Sequence, residues 1–344
     1  MPKDTPFSAA AGRAVSRHPG RAARRLAAID LGSNSFHLLV ASVIRARPHI
    51  VTRRGVKVQL AAGLDARGNL DRGAMQRGLE CLEQFAAMLH KAPCAQLRIV
   101  GTSALRDAGN RHVFLDRAAA LLGQPVEVIS GREEARLIYL GAGHAREFNG
   151  RRLLVDVGGG SSECVIGEGM APQLLESLAM GCVTFSRRFF PGGVISSANI
   201  QAAEQAALER LASVQAKYRR AGWDEAVGTS GTLKSVARVL YACGDSREKG
   251  LITRPGLEQL RARVLRYRHL DELALKGLKA NRAGIFPAGI AIVSAIFRTF
   301  DLQQLRFVDG ALREGMLHDM LSALPDAQAQ TASPRPGRVA YRGP

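Results

Sequence analysis

Residues 154–161 read LVDVGGGS, and residues 28–35 read AIDLGSNS. Both run apolar, apolar, Asp, apolar, Gly, two further residues, Ser, and they lie 126 residues apart. A second pair follows the same rule: IVGTSALR at 99–106 and AVGTSGTL at 226–233, 127 residues apart. Two motif pairs at nearly one offset describe a duplicated α/β domain. Each half supplies one Asp–Gly turn and one Gly-Thr-Ser turn. Two such halves facing each other line a single central cleft with four turns.

Outward from these turns, strand-like and helix-like segments alternate. Short apolar runs at 26–32, 36–44, 50–52, 97–100, 126–129, 153–157, 164–167, 225–227 and 305–308 read as strands. Helical patterning covers 73–90, 113–122, 130–141, 197–220, 232–241, 256–278 (broken near Leu270) and 311–321. The alternation means α/β layers. A first domain is expected over 26–131 and a second over 132–324, with the last helix free to return to the first. Residues 1–25 and 325–344 lack periodicity and read as a disordered basic arm and a disordered tail. The apolar face of helix 197–220 suits internal packing or a dimer equally.

The chain of 344 residues is 46% hydrophobic, enough for sizeable cores, which excludes a wholly disordered chain. The longest apolar stretch, 284–297, has 14 residues and is interrupted by Pro287 and Ser294. A membrane span needs roughly 20. No secretory signal core opens the chain, and the five cysteines are scattered without a C-x-x-C pair. A cytoplasmic protein with reduced core thiols is expected. The eight histidines show no zinc-ligand spacing. Net charge is +18, and most of the excess lies in the body rather than the tails. That balance favours a polyanionic ligand. Aromatic residues are only 5%, and no helix-turn-helix or RNP motif is present, so specific nucleic-acid binding is not expected.

The turns suggest the chemistry. In an open α/β sheet, ligands bind beyond the carboxyl ends of strands. Glycine-rich turns let backbone N–H groups converge on an anion, and Ser or Thr hydroxyls add donors. Gly158, Gly159, Gly160 and Ser161 make the strongest such turn. Asp30 and Asp156 stand at matching strand ends, where a carboxylate repels phosphate unless a cation such as Mg²⁺ lies between. Glu163, just past the second turn, is a further candidate ligand or water-holder. Ser130 and Glu133 fit a capping box. Glu134, one position on, is then free to face the cleft and to orient or deprotonate an attacking water.

Together these segments, with VISGREEARLIYLGA at 128–142 and VDGALREGML at 308–317, resemble the exopolyphosphatase/guanosine pentaphosphate phosphohydrolase (Ppx/GppA) family. The resemblance covers residues 26–322. It implies two RNase H-like domains of the actin, Hsp70 and sugar-kinase type around a central cleft. It implies Mg²⁺-dependent (or Mn²⁺-dependent) removal of a terminal phosphate from inorganic polyphosphate or of the 5′ phosphate from guanosine pentaphosphate, and a homodimer. By motif, Glu134 corresponds to the family's catalytic base, and Asp156 and Glu163 to the acids near the metal. Gly158 to Ser161 correspond to the phosphate loop. Asp30, Ser33, Asn34 and Ser35 match the first phosphate turn. Arg106 matches a phosphate-holding arginine, and Gly228, Ser230 and Gly231 match the second Gly-Thr-Ser turn. Long members carry an additional helical C-terminal region that has no counterpart in this sequence. The resemblance is to the short, two-domain members, for which shorter polyphosphates are the expected substrate.

Two other readings stand beside this one. A kinase of the same fold needs the same turns and Mg²⁺, and would phosphorylate a small acceptor from ATP or pass phosphate from polyphosphate to a nucleoside diphosphate. A basic polyphosphate-binding protein would need no catalytic acid.

Overall fold

The computed structural model describes residues 24–324. The expected tail lies outside these residues. So does the expected basic arm, except for its last two residues, where Arg25 already opens the first strand.

The first half begins with three antiparallel strands, β1 (Arg25–Leu31), β2 (Ser35–Ile44) and β3 (Arg47–Lys57). Helix α1 (Arg72–Lys91) follows, its N-terminus capped by Asp71, which accepts from the Ala74 N–H. Then come β4 (Gln96–Gly101), α2 (Ser103–Asp107), α3 (Arg111–Leu122), β5 (Glu127–Val128) and α4 (Gly131–Ala145). The second half repeats the plan with β6 (Arg151–Val157), β7 (Ser162–Glu168), β8 (Ala171–Leu178), α5 (Cys182–Phe189), α6 (Ser197–Ala221), β9 (Glu225–Thr229) and α7 (Ser230–Cys243). It closes with β10 (Leu251–Thr253), α8 (Arg254–Val264), α9 (Phe286–Phe300), β11 (Gln304–Phe307) and α10 (Leu312–Ser322).

The sheets make the duplication explicit. The first has the order β3-β2-β1-β4-β5, and the second, read from its other edge, β8-β7-β6-β9-β11-β10. In each, an antiparallel meander is followed by parallel strands added beside its first member. The chain is therefore an α/β protein of two duplicated RNase H-like halves with a cleft between them. The halves differ in one register. Asp30 on β1 pairs with Val100, whereas Asp156 on β6 pairs with Thr229, two residues further along its motif. A slide of two keeps every side chain on its own face of the sheet.

Three apolar clusters form the core. One lies under β1–β4 with α1 and α3, and a larger one under β6, β7 and α5–α9. The third joins the halves: α4 and α10 pack together and onto apolar residues of both sheets, including Ala28, Leu39, Leu154 and Val165. These two helices touch backbone to backbone. A methyl group on Gly141 would fall 2.0 Å from the Ala311 carbonyl oxygen, and one on Gly315 would fall 1.8 Å from that of Leu137. Helix α4 is thereby fixed against both sheets, with its N-terminus at the cleft.

Several elements differ from the sequence reading. Helix α9 is buried nearly all round, so it carries no amphipathic period to read. With the turn before it, Ala280–Phe300 is long and apolar enough to cross a membrane by length and composition, beyond the 14-residue run counted in the sequence. Most of it is buried in the second core, against α5, α6, α7 and α8. The helix expected over 256–278 ends at Val264. Beyond it Ile195 donates to the Arg268 carbonyl, and His269 pairs with Val194 in a β-bridge, which draws that segment out of helical form. The apolar face of α6, including Ile200, Ala207, Leu211 and Tyr218, packs internally, against α9.

Candidate active site

The four turns converge on a cleft of about 500 Å³ at the carboxyl ends of β1, β4, β6 and β9. A hollow of 760 Å³ elsewhere, lined by Leu89, Pro93, Leu97 and Met320 among others, holds none of them. Asp30, Ser33, Asn34, Ser35, Glu134, Asp156, Gly158, Gly159, Gly160, Ser161, Glu163, Ser230 and Gly231 all line the cleft.

The Asp–Gly turns are near copies in three dimensions. A methyl group on Gly32 would lie 2.9 Å from the Ser35 carbonyl oxygen and 3.5 Å from Asp30 Oδ1. On Gly158 it would lie 3.0 Å from the Ser161 carbonyl oxygen and 3.9 Å from Asp156 Oδ1. In both, the glycine lets the backbone fold over its own aspartate. The turns also abut each other. A methyl on Gly159 would reach within 3.0 Å of Ser33 Cβ, and one on Gly160 within 2.5 Å of Ser103 Oγ and 2.8 Å of Ser33 Oγ. Ser33 Oγ in turn accepts from the Ala104 N–H at 3.2 Å. The run of glycines is thus a packing requirement: side chains there would wedge the two halves apart.

Three acids stand close together under these turns. Asp156 and Glu163 face each other across the β6–β7 hairpin and are almost wholly buried. Burial, then the Glu134 and Asp30 charges, pushes Asp156 up to about 7. Burial, then the Asp156 charge, pushes Glu163 up to about 7, against hydrogen bonds from Ser177 (2.8 Å to Oε1) and Ser161. Glu134 is raised well above the usual carboxylate range by burial and then by Glu163, with Arg106 opposing. This is the signature of a site built to be met by positive charge.

Glu134 takes its place from the start of α4. Ser130 caps the helix, accepting from the Glu133 N–H at 3.2 Å. The reciprocal half of the expected capping box does not form. The Glu133 carboxylate instead binds Arg136 through two contacts of 2.7 and 2.8 Å, on the side away from the cleft. Glu134 turns inward, and Arg106 Nη1 donates to its Oε2 at 3.1 Å and to the Ile129 carbonyl at 3.0 Å. Arg106 thus holds the candidate base and is not among the residues lining the cleft.

Gly228 also departs from expectation. The two-residue slide of β9 sinks it below the cleft floor, beside Val155. A methyl there would meet Leu233 at 2.5 Å and Leu305 at 2.6 Å. Gly101 does the same for Leu105, at 2.7 Å. The glycine of each Gly-Thr-Ser motif makes room for a leucine of the following helix, and Thr102, Thr229 and Ser230 meet the cleft. Ser230 has φ 87°, rare for a residue with a side chain.

Other residues enter from segments with no turn motif. Arg53 reaches in from edge strand β3, Arg282 from the 3₁₀ turn at Ala280–Ile285, and Arg313 from α10. At the mouth, Lys234 pairs with Asp309 at 3.2 Å and stands 5.4 Å over the Phe307 ring. Arg313 lies inside the quoted 308–317 segment, and His37 and Lys234 fall just past the ends of two quoted turns, whereas Arg53 and Arg282 gave no sequence signal. Among the described residues no three His, Cys, Asp or Glu side chains converge tightly enough to hold a metal ion alone. Asp156 and Glu163 do supply two hard oxygen donors. That fits Mg²⁺, which takes one or two carboxylates and completes its shell with water and phosphate oxygens.

Comparison with known proteins agrees with this geometry. The family model for the Ppx/GppA phosphatase family matches residues 39–324. A Haemophilus influenzae protein whose provisional name is exopolyphosphatase is 41% identical over 318 residues, covering 92% of this chain and 98% of that one. A Vibrio vulnificus guanosine-5′-triphosphate,3′-diphosphate pyrophosphatase is 43% identical over 307 residues, covering 89% of this chain and 61% of that one. Among solved structures, an exopolyphosphatase from Cytophaga hutchinsonii superposes with a TM-score of 0.79 at 26% identity, covering 88% of this chain and 99% of that one. A Ppx/GppA enzyme from Aquifex aeolicus gives 0.71 at 25%, covering 86% and 99%. With its duplicated fold, its paired turns and its buried acids, the chain belongs to the Ppx/GppA phosphatase family, enzymes that hydrolyse phosphoanhydride bonds.

Proposed function

We propose that the chain is an exopolyphosphatase that removes the terminal phosphate from inorganic polyphosphate, with shorter chains preferred. One observation carries this: a buried cluster of Glu134, Asp156 and Glu163 sits under glycine-rich turns in a cleft that Arg53, Arg282 and Arg313 also line. An acid floor and basic walls suit a polyanion bridged by a cation. The backbone of 158–161 and the Ser33–Ser35 turn would hold the terminal phosphate. Asp156 and Glu163 would hold Mg²⁺ or Mn²⁺, which when bound neutralises charge on the phosphate oxygens. Glu134, held by Arg106, would take the proton from the attacking water and keep it in line with the leaving oxygen.

A second reading, guanosine pentaphosphate 5′-phosphatase of the stringent response, draws on the Vibrio relative's name and on Phe307, an aromatic residue that lines the cleft. The proposal includes a homodimer, as the family resemblance implies, acting in the cytoplasm. The test is phosphate release with Mg²⁺ from tripolyphosphate, longer polyphosphate and guanosine pentaphosphate side by side. The expected result is a higher kcat/KM on polyphosphate. Release from the nucleotide alone would establish the second reading, and release from none would leave a kinase or a binding protein.

A further inference from the structure

In each half, the aspartate of the first turn faces one residue across an antiparallel hairpin. In the second half Asp156 faces Glu163; in the first, Asp30 faces His37. His37 and Glu163 are 126 residues apart, the spacing of the repeat itself. The duplicated site therefore carries a carboxylate on one side where the other carries an imidazole.

The ring of His37 is held from two sides. Its Nδ1 lies 3.5 Å from Asp30 Oδ2. On the other side is Gly55, its register partner on β3. A methyl group on Gly55 would come within 2.7 Å of Cδ2 and 3.1 Å of Nε2, so a side chain at 55 would displace the ring. The ring lines the cleft, yet Nδ1 is buried with no hydrogen-bond partner. A buried polar atom left unpaired is costly, and a small turn of the ring toward Asp30 Oδ2 meets it while leaving Nε2 for the cleft.

We propose that His37 binds the phosphate chain directly, bridging Asp30 Oδ2 through Nδ1–H and a phosphoryl oxygen through Nε2–H. It is the first half's donor, set against the second half's acceptor, Glu163. The inference rests on the cleft being the polyphosphate site. A carboxylate at 37 would add to the acids already beneath the turns and repel the anion, whereas an imidazole can present an N–H donor to it. The paired halves then divide the work: one holds cation and water, the other grips the phosphate chain.

The test measures tripolyphosphate binding with Mg²⁺ by calorimetry in a Glu134→Gln background, which prevents turnover. Adding His37→Asn, which keeps a donor near Asp30 but none at the Nε2 position, is expected to weaken binding about tenfold or more. His37→Gln, whose amide reaches the Nε2 position, is expected to recover part of that loss. Gly55→Ala, which displaces the ring without altering it, is expected to mimic His37→Asn. In otherwise unaltered protein, the His37 Nε2 nitrogen resonance is expected to shift when tripolyphosphate is added. Binding by the Asn variant within twofold of its parent, with an unmoved Nε2 resonance, would overturn the proposal and leave the exopolyphosphatase reading standing. Should His37→Asn fail to fold, Gly55→Ala and the resonance decide. If the parent binds no tripolyphosphate and the wild type hydrolyses none, the reading of the cleft falls, and this inference with it.

Discussion

The two halves of the molecule share the order of their first four strands and one pair of turns, and they differ where chemistry is required. In the first half Asp30 is level with Val100 and faces His37. In the second Asp156 is level with Thr229 and faces Glu163. The slide of β9 carries the start of α7 down beside Asp156, and Ser230, which opens that helix, adopts φ 87° where its counterpart Ser103 has no such strain. Strain of this kind costs about 1–3 kcal/mol and persists only where surrounding structure enforces it. Duplication supplies a symmetric set of turns around the cleft. Departures from symmetry then give one side a pair of buried acids and leave the other with a mixed pair.

Breaking the acid side is expected to have the largest effect. Glu163→Gln should lower kcat by about 10²–10⁴-fold in folded protein, the range typical for losing a positioned acid–base or water-holding group. A loss below threefold in steady-state phosphate release would show that the second half's acid pair is not the working side.

Wedging the halves apart comes next. In Gly160→Ala the new methyl group would fall 2.5 Å from Ser103 Oγ. Overpacking of this sort costs about 1–3 kcal/mol. Because it separates the two phosphate turns, kcat/KM should drop roughly tenfold or more, by the sensitivity of catalysis to small misplacement. A denaturation midpoint and a rate taken on one preparation check both effects.

The acid pair should also show in the pH dependence of stability. Asp156 and Glu163 titrate at about 7 in the folded state, above their ordinary carboxylate values. Between roughly pH 4 and pH 7 the ligand-free folded protein therefore holds more protons than the unfolded chain. Where the folded state binds more protons, stability falls as pH rises. This contribution should decline through that window and level off above it. Urea midpoints against pH measure it, and Asp156→Asn should flatten the slope.

The smallest kinetic effect sharpens the register difference. Gly228→Ala should destabilise by about 1–3 kcal/mol through its clash with Leu233 and Leu305, yet leave KM for polyphosphate unchanged. A raised KM at unchanged stability would return Gly228 to the phosphate site.

Much of this is legible in the sequence. The offset of 126 residues between AIDLGSNS and LVDVGGGS identified the duplication and both aspartates, because turn chemistry is local and leaves its mark in short motifs. Glu134 could be separated from Glu133 because the two point to different sides of one helical turn. What stayed hidden depends on contacts distant in sequence. Arg53 and Arg282 reach the cleft from an edge strand and a 3₁₀ turn that carry no motif. The buried placement of Gly228 follows from a register that no single strand records. Arg106 looks like a phosphate ligand in its motif, and only the fold shows it holding Glu134. Helix α9 is apolar on every side, and the missing period hid it.

Glu134, raised from α4 into a cleft between two unlike halves, is the proposed driver of hydrolysis. Its most direct test is the rate of phosphate release from tripolyphosphate by wild type and by Glu134→Gln, with matched melting curves and saturating Mg²⁺. The variant is expected to bind tripolyphosphate and to hydrolyse it about 10²–10⁴-fold more slowly. A variant that turns over within threefold of wild type would contradict that role.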